Sequence, residues 1–407
     1  MLDTIRLVNF KNHRDTSIRL GRLTLLVGPN GAGKSGVLQA IDTTWRAFLA
    51  PHLAVIPGDM RGLVRSGQPG FDLELNGADD SNKDGLWTLR WRIQTGEPGG
   101  PAGSFDFSGT AATGRGDLSS RAALENLARE AARQSIGKVL RLHLSAQQLA
   151  AESALDSEHA QIDSDGSGLP SVITNLLLSD RDRFDALEAD LRAIVPAVKR
   201  IRIRRISRPV KTQGEPVRRE LADQLSLDMR SGDELPPQAI SEGTLILLGL
   251  LTVLNAADCP RLLLIDDIDQ SLHPRAQAHL IQLLRQALDR HPDLQIVATS
   301  HSPYLIDELR DDEVWVLNTR DDGTAVAACL ADHPDGARFR GTLRTGEFLS
   351  AVGEDWVLGQ ETSDASAATV RPVADDWVRG IGGSAAMTRC GGYRRDHPGL
   401  RSRPDTQ

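Results

Sequence analysis

Cysteine, aromatic residues and long apolar runs are all scarce in this chain of 407 residues, and each shortage removes a class of protein. Its three cysteines, Cys259, Cys329 and Cys390, lie far apart, with neither metal-ligand spacing nor the even count of a disulfide framework, so a reducing compartment fits best. Phe, Trp and Tyr supply only 4% of the residues; Trp87 and Trp91 have no interleaved stacking partners and read as core. The longest apolar run, Thr244 to Leu254, falls well short of the roughly 20 residues of a spanning helix and reads as a buried one. The opening MLDTIRLVNF carries no apolar targeting core and alternates like a strand, so no membrane partner is expected and the expected location is cytoplasmic. Basic residues are in deficit: 47 Lys and Arg against 55 Asp and Glu give a net charge of −8. That excludes a globally basic nucleic-acid coat and leaves only a local patch. There is no internal repeat and no second acidic cluster with metal-binding spacing, so nuclease chemistry is not expected within this chain.

What is present is ordinary globular material, 40% apolar and 25% charged. At about 150 residues per domain the length suits two or three domains, or one with a large insertion. Ile5, Leu7, Ile18 and Leu20 alternate on either side of KNHRD and predict an antiparallel pair. Leu23 to Val27 is a continuous apolar run, as in a strand covered on both faces, and Val37 to Leu49 recurs at helical spacing. The texture then changes until about Pro237. Period-two patterns at Leu73–Leu75 and Trp87–Ile93 predict strands, 96–116 is Gly- and Ser-rich and predicts a flexible loop, and 122–132 and 171–194 predict helices. After Pro237 the α/β pattern returns, with helices at 244–255 and 275–290 and strands at 262–265, 295–298 and 313–317. One nucleotide domain, 1–50 with 237–345, is thus expected to be split by an insertion at 51–236 and followed by a short extension at 346–360. Residues 361–407 have few apolar anchors and predict a disordered tail.

The strongest chemical signal is Gly28-Pro29-Asn30-Gly31-Ala32-Gly33-Lys34-Ser35, a phosphate-loop pattern lying between a predicted strand and a predicted helix. Its glycines let backbone N–H groups turn toward phosphate oxygens, Lys34 is placed for the β- and γ-phosphates, and Ser35 offers a hydroxyl to Mg²⁺. Leu262 to Ile265 runs straight into Asp266 and Asp267, delivering two carboxylates to the edge of a sheet where ligands bind. Asp266 is the candidate Mg²⁺ support and Asp267 the candidate group for polarising water. Ser241, ahead of Glu242 and Gly243, reads as a helix N-cap, and capping and phosphate binding use the same atoms. His301, in TSHSP, follows the strand at 295–298 to the same edge. His143 and His159 show no ligand spacing.

The ordered set of Gly28 to Ser35, Ser241-Glu242-Gly243, Leu262 to Asp267, Ser271-Leu272-His273-Pro274 and His301 resembles the ABC-type ATPase head. Within that class the NFKNH opening (Asn9 to His13), the SEGT, SLHP and TSHSP segments resemble the RecF/SMC and OLD-like ATPases, tied to DNA repair, chromosome maintenance and anti-phage defence. The resemblance implies an α/β P-loop NTPase fold, an ABC-type head with a mixed sheet and an antiparallel β-lobe, interrupted by a helical and mixed insertion. It also implies that ATP and Mg²⁺ bind at Lys34, Ser35 and Asp266, that His301 senses the γ-phosphate, and that Lys11 approaches the nucleotide. Ser241, Glu242 and Gly243 are expected to act in trans on the nucleotide of a second copy, making a homodimer. Gln147 and Gln148 are the candidates for a water-aligning glutamine.

The chain departs from the family where Glu, Pro and Glu usually follow the Mg²⁺ aspartate: it reads Asp267, Ile268 and Asp269. A carboxylate one methylene shorter predicts slow hydrolysis, because positional errors near 1 Å cost about a hundredfold in rate; Asp269 is a weaker substitute base. Arg200, Arg202 and Arg204 share one face of a predicted strand whose other face carries Ile201 and Ile203. Such a row can track DNA or RNA phosphates or can simply be a solvated face. The function expected is an ATPase that dimerises on ATP in nucleic-acid processing or phage defence. Its alternative is a nucleotide-gated module with little turnover that controls a separate effector protein; a transporter motor fits less well.

Overall fold

The computed structural model describes residues 1–49, 60–79, 82–94, 102–109, 130, 133–134, 136–154, 160–210, 218–339 and 342–359. Most of the expected loop at 96–116, most of the expected helix at 122–132, His159, Cys390 and the tail at 361–407 lie outside these residues. The strands in chain order are β1 (Leu2–Phe10), β2 (His13–Arg19), β3 (Leu23–Val27), β4 (Gly70–Asp79), β5 (Asn82–Gln94), β6 (Ala102–Gly109), β7 (Val139–Leu142), β8 (Ser153–Ala154), β9 (Val198–Val210), β10 (Arg218–Met229), β11 (Glu234–Leu235), β12 (Leu262–Ile265), β13 (Gln295–Ser300), β14 (Val314–Thr319) and β15 (Ala325–Cys329).

Eleven of them form one mixed sheet in the order β6-β5-β4-β1-β2-β15-β14-β3-β13-β12-β7. Strands β14, β3, β13, β12 and β7 run parallel, and β6 through β2 form the antiparallel lobe. The two parts meet between β2 and β15, whose register joins His13 to Ala325, with Ala325 N–H donating to the Asn12 carbonyl at 2.9 Å. The borders expected at 50 and 237 are not borders of the sheet: β4 to β7, all from within 51–236, extend it at both ends. β6 also replaces part of the expected loop with a strand.

The unbroken apolar runs have the reason anticipated for buried parallel strands. Leu262 and Leu264 join the core that includes Val37, Ile41, Trp45 and Phe48 of the helix Lys34–Leu49, whereas Leu263 and Ile265 join the core on the other face, with Leu247 and Leu251 of the helix Glu242–Asn255. Trp87 and Trp91 are buried in the first of these cores, and Trp91 meets Phe71 edge to face at 5.2 Å. The stretch at 171–194, read as one helix, is two: Leu169–Ser179 and Arg181–Ile194. They separate at Asp180, whose side chain accepts from Arg183 N–H and caps the second helix. Strands β8, β9, β10 and β11 make a second, smaller sheet around β10. The 346–360 extension supplies all but the first residue of the helix Thr345–Val352 and a single turn Asp355–Gly359, with Phe348, Leu349 and Val357 buried. Among the described residues no helix is long and apolar enough to cross a membrane.

Candidate functional site

The carboxyl ends of three adjacent parallel strands build the site. Register places Val27 beside Ser300 and Ala298 beside Ile265, so Gly28, His301 and the Asp266–Asp267 pair leave the sheet at one edge. Gly28 has φ +138°, and a Cβ there would stand 1.9 Å from the Leu317 carbonyl oxygen, so only glycine fits between β3 and β14. Gly33, at φ +98°, is held from the other side. A Cβ there would lie 2.6 Å from His13 Nε2.

The N-terminal hairpin grips the loop. Asn12 donates its amide to the Gly31 carbonyl at 2.9 Å, and His13 Nε2 lies 3.1 Å from the Gly33 carbonyl. His13 Nδ1 lies 3.1 Å from Thr16 Oγ1, and the ring is fully buried. Burial pushes its pKa down to about 4, so the imidazole is neutral at pH 7, donates from Nε2 to Gly33 and accepts from Thr16. Lys34 opens the following helix and donates to the Gly28 and Pro29 carbonyls at 2.8 and 3.0 Å. Burial lowers its pKa against the opposing pull of Asp267, Asp266 and Asp269. Pro29, Asn30 and Gly31 are exposed at the crest, while Ala32 is buried beneath them. Lys11, at the hairpin tip with φ +51°, is half-buried; burial and then the charge of Arg141 depress its pKa, with Asp266 opposing.

Asp266 is where the two halves of the sequence meet. Ser35 Oγ donates to its Oδ1 at 2.7 Å, Thr299 Oγ1 donates to the same oxygen at 3.0 Å, and Arg141 Nη2 donates to Oδ2 at 2.8 Å. Burial alone would raise the carboxyl pKa, but donation by Arg141, Ser35 and Thr299 outweighs it and holds Asp266 below the usual range. The same Thr299 oxygen accepts from Asp267 N–H at 2.8 Å, which fixes the direction of its own proton toward Asp266. Asp267 turns through φ +49°, a left-handed conformation that Asp tolerates better than most side chains. Asp269 is half-buried, and its Oδ1 has no hydrogen-bond partner.

These residues fit a magnesium–triphosphate. The loop crest is open at Gly31, where a Cβ would meet nothing within 4 Å, an ammonium lies under the loop, and a hydroxyl and an ionised carboxylate stand 2.7 Å apart as hard oxygen donors. His301 is exposed at the same edge. Gln147 is exposed and Gln148 half-buried on the short helix Ala146–Leu149, just beyond β7.

Other expected residues stand apart. Ser241 and Glu242 are exposed; the Ser241 hydroxyl pairs with Thr244, Glu242 accepts from Gln270, and neither has a hydrogen bond to the phosphate loop among the described residues. Gly243 is buried, its Cα so near the Ser271 carbonyl that a Cβ would reach 2.2 Å. Arg200, Arg202 and Arg204 do share the exposed face of β9, a strand of the second sheet, but Arg202 pairs with Asp228 at 2.6 Å and Arg204 pairs with Glu234. The row is therefore largely neutralised by the neighbouring strands β10 and β11, which weakens it as a phosphate track. Sequence reasoning missed Arg141, Thr299, Asn12 and His13 as site residues. The last three lie inside segments already singled out, whereas Arg141 carries no motif. Among the described residues no group of three or more His, Cys, Asp or Glu side chains is placed to hold a metal ion.

The family described as "AAA domain, putative AbiEii toxin, Type IV TA system" matches residues 23–307. The OLD nuclease of Thermus scotoductus is 25% identical over 358 residues, covering 80% of this chain and 64% of its own; the chain thus spans less than two thirds of that relative. The Septu protein PtuA of Bacillus thuringiensis is 36% identical over 69 residues, 17% of either chain. In fold, the SmcHead bound to the C-winged helix domain of ScpA is similar with a TM-score of 0.56 at 16% identity, covering 81% of this chain and 98% of that one. With the loop, the strand-end carboxylates and the mixed sheet all in their expected order, the chain belongs to this AAA domain family, with likeness in sequence to an OLD nuclease and in fold to an SMC head.

Proposed function

We propose that the chain binds and hydrolyses ATP as a head that pairs with a second copy, acting in nucleic-acid processing, DNA repair or anti-phage defence. The observation that carries this reading is the 2.7 Å bond from Ser35 to Asp266, which joins the phosphate loop to the carboxylate strand across 231 residues of sequence. On this reading Lys34 and the loop N–H groups hold the phosphates, and Ser35 and Asp266 hold Mg²⁺. Lys11 reaches in from the hairpin, Asp267 orients the attacking water and His301 faces the terminal phosphate. Bound Mg²⁺ neutralises phosphate charge as it develops. The exposed start of the helix Glu242–Asn255, capped by Ser241, supports a role on the nucleotide of the partner copy rather than on its own.

Sedimentation velocity with Mg-ATP tests the pairing. The wild type is expected to dimerise and to show an ATPase rate rising more than linearly with protein concentration, and Lys34→Ala to do neither. Particles that stay single at saturating Mg-ATP overturn it.

The second reading, a nucleotide-gated module that controls a separate effector protein, is favoured by Asp267 standing where a longer acid is usual. The names of the two relatives, a nuclease and a Septu protein, suit an effector that carries other chemistry. Tight ATP binding and dimerisation without turnover would select it. DNA or RNA binding by the β9 row is tested by retention of ATP-loaded protein on DNA across a salt series.

A further inference from the structure

We infer that Gln277 is a positioning residue that ties His301 to the signature segment Ser241-Glu242-Gly243, so that the placement of the signature sets the placement of the histidine. This rests on the ATPase reading above and deepens it.

Gln277 lies in the first turn of the helix Pro274–Arg290 and is 5% exposed. Its Nε2 donates to the Leu272 carbonyl at 2.9 Å, and its Oε1 accepts from Ser302 Oγ. The two ends of one amide thus clamp two turns, and the partners fix its orientation, since a carbonyl accepts at one end and a hydroxyl donates at the other. On one side the Ser302 N–H donates to Ser300 Oγ at 3.0 Å, with both serines buried. His301 sits between them with its ring exposed, so its reach toward the nucleotide follows the backbone of this turn. On the other side, the turn ending at Leu272 contains Ser271 at φ +57°, whose carbonyl packs directly on Gly243, and Gln270, which donates to Glu242 at 3.4 Å. Contact therefore runs without a gap from Gly243 to Ser271, through Leu272 and Gln277 to Ser302, and so to His301.

The link joins two irregular turns rather than two core elements, and both turns carry proposed nucleotide-facing groups. In a low-dielectric setting these bonds are costly to leave half-made, so the two turns move together. A signature drawn onto the nucleotide of a partner copy displaces Ser271, and the same shift reaches His301 in its own head. Binding of ATP does not depend on this route; the alignment needed for turnover does.

Single-turnover and steady-state ATPase assays on the full chain, with binding of a fluorescent ATP analogue measured alongside, test the inference. Gln277→Met keeps the volume and severs both bonds; Ser302→Ala removes one hydroxyl and is the gentler change for folding. Each is expected to lower kcat by about 10- to 100-fold, the range set by a displacement near 1 Å, with analogue affinity and ATP-dependent dimerisation unchanged. Ser302→Thr retains the donor and is expected to restore most of the rate, and the double variant to be no slower than the slower single. Variants that turn over like an active wild type overturn the link. So does a loss that is additive in the double variant, or one that disappears on cooling together with a lowered Tm. A wild type without turnover or dimerisation brings down the ATPase reading and this inference with it; an active, dimerising wild type with unaffected variants brings down this inference alone.

Discussion

Arg141 and Asp266 are joined by one charge-assisted bond, Nη2 to Oδ2 at 2.8 Å, between a side chain 23% exposed and one 4% exposed. The carboxylate is thereby held at both oxygens, since Ser35 and Thr299 share the other. Removing the cation leaves a buried acceptor with no donor. Arg141→Met is expected to destabilise the fold by about 1–3 kcal/mol, read as a lower denaturant midpoint at unchanged m-value, and Arg141→Lys by less. Equal midpoints for all three proteins would show that Asp266 does not need this partner.

Lys34 lies under the loop and is the one ammonium that bonds its carbonyls among the described residues. Mg-ATP at a hundredfold excess over its Kd is expected to stabilise the wild type by about 2.7 kcal/mol through mass action. Lys34→Ala is expected to lose nearly all of that gain while keeping the ligand-free Tm within a few degrees. A thermal-shift titration of both proteins decides it.

Asp267 combines a left-handed backbone with a short acid. Asp267→Glu is expected to raise kcat about tenfold or more by restoring reach, at a cost of about 1 kcal/mol because Glu accepts φ +49° less readily. Asp267→Asn is expected to abolish turnover and prolong the ATP-bound dimer. Slower turnover in Asp267→Glu would show that the shorter side chain is matched to its own turn.

His13 gives a pH dependence with a definite sign. Its imidazole titrates near 6.5 when unfolded and at about 4 in the fold. Between those values the unfolded chain holds the extra proton, so stability rises with pH. The contribution is complete above about pH 6.5 and is lost as the pH falls toward 4, on the order of 3 kcal/mol in all. Denaturation curves at pH 7 and pH 5 are expected to converge more in His13→Gln than in the wild type, although the variant starts lower at pH 7 for want of the Thr16 and Gly33 bonds.

The fold was legible wherever burial imposes a period. The β12 run at 262–265 matches its four-residue strand, and the helices expected at 244–255 and 275–290 start within two residues of the observed ones. Legibility failed where an element is defined by what lies beside it. β7 is short and half-buried, and only pairing with β12 makes it the sheet's outer parallel strand and brings Arg141 to Asp266. The β9 arginines looked like a free cationic row because Asp228 and Glu234, which pair with Arg202 and Arg204, lie about thirty residues downstream on strands set by register. Apolar spacing that continues on either side of Asp180 conceals the break between the two helices of 171–194. The signature poses a different problem: its residues are identifiable by type, yet within one chain Ser241 and Glu242 are exposed and only Gly243 is buried.

The wide sheet has its thinnest pairing where His13 meets Ala325, and His13 is also the side chain that grips Gly33. One side chain thus belongs both to the seam between the antiparallel lobe and the parallel core and to the brace of the phosphate loop, so a substitution at His13 is felt in both places at once.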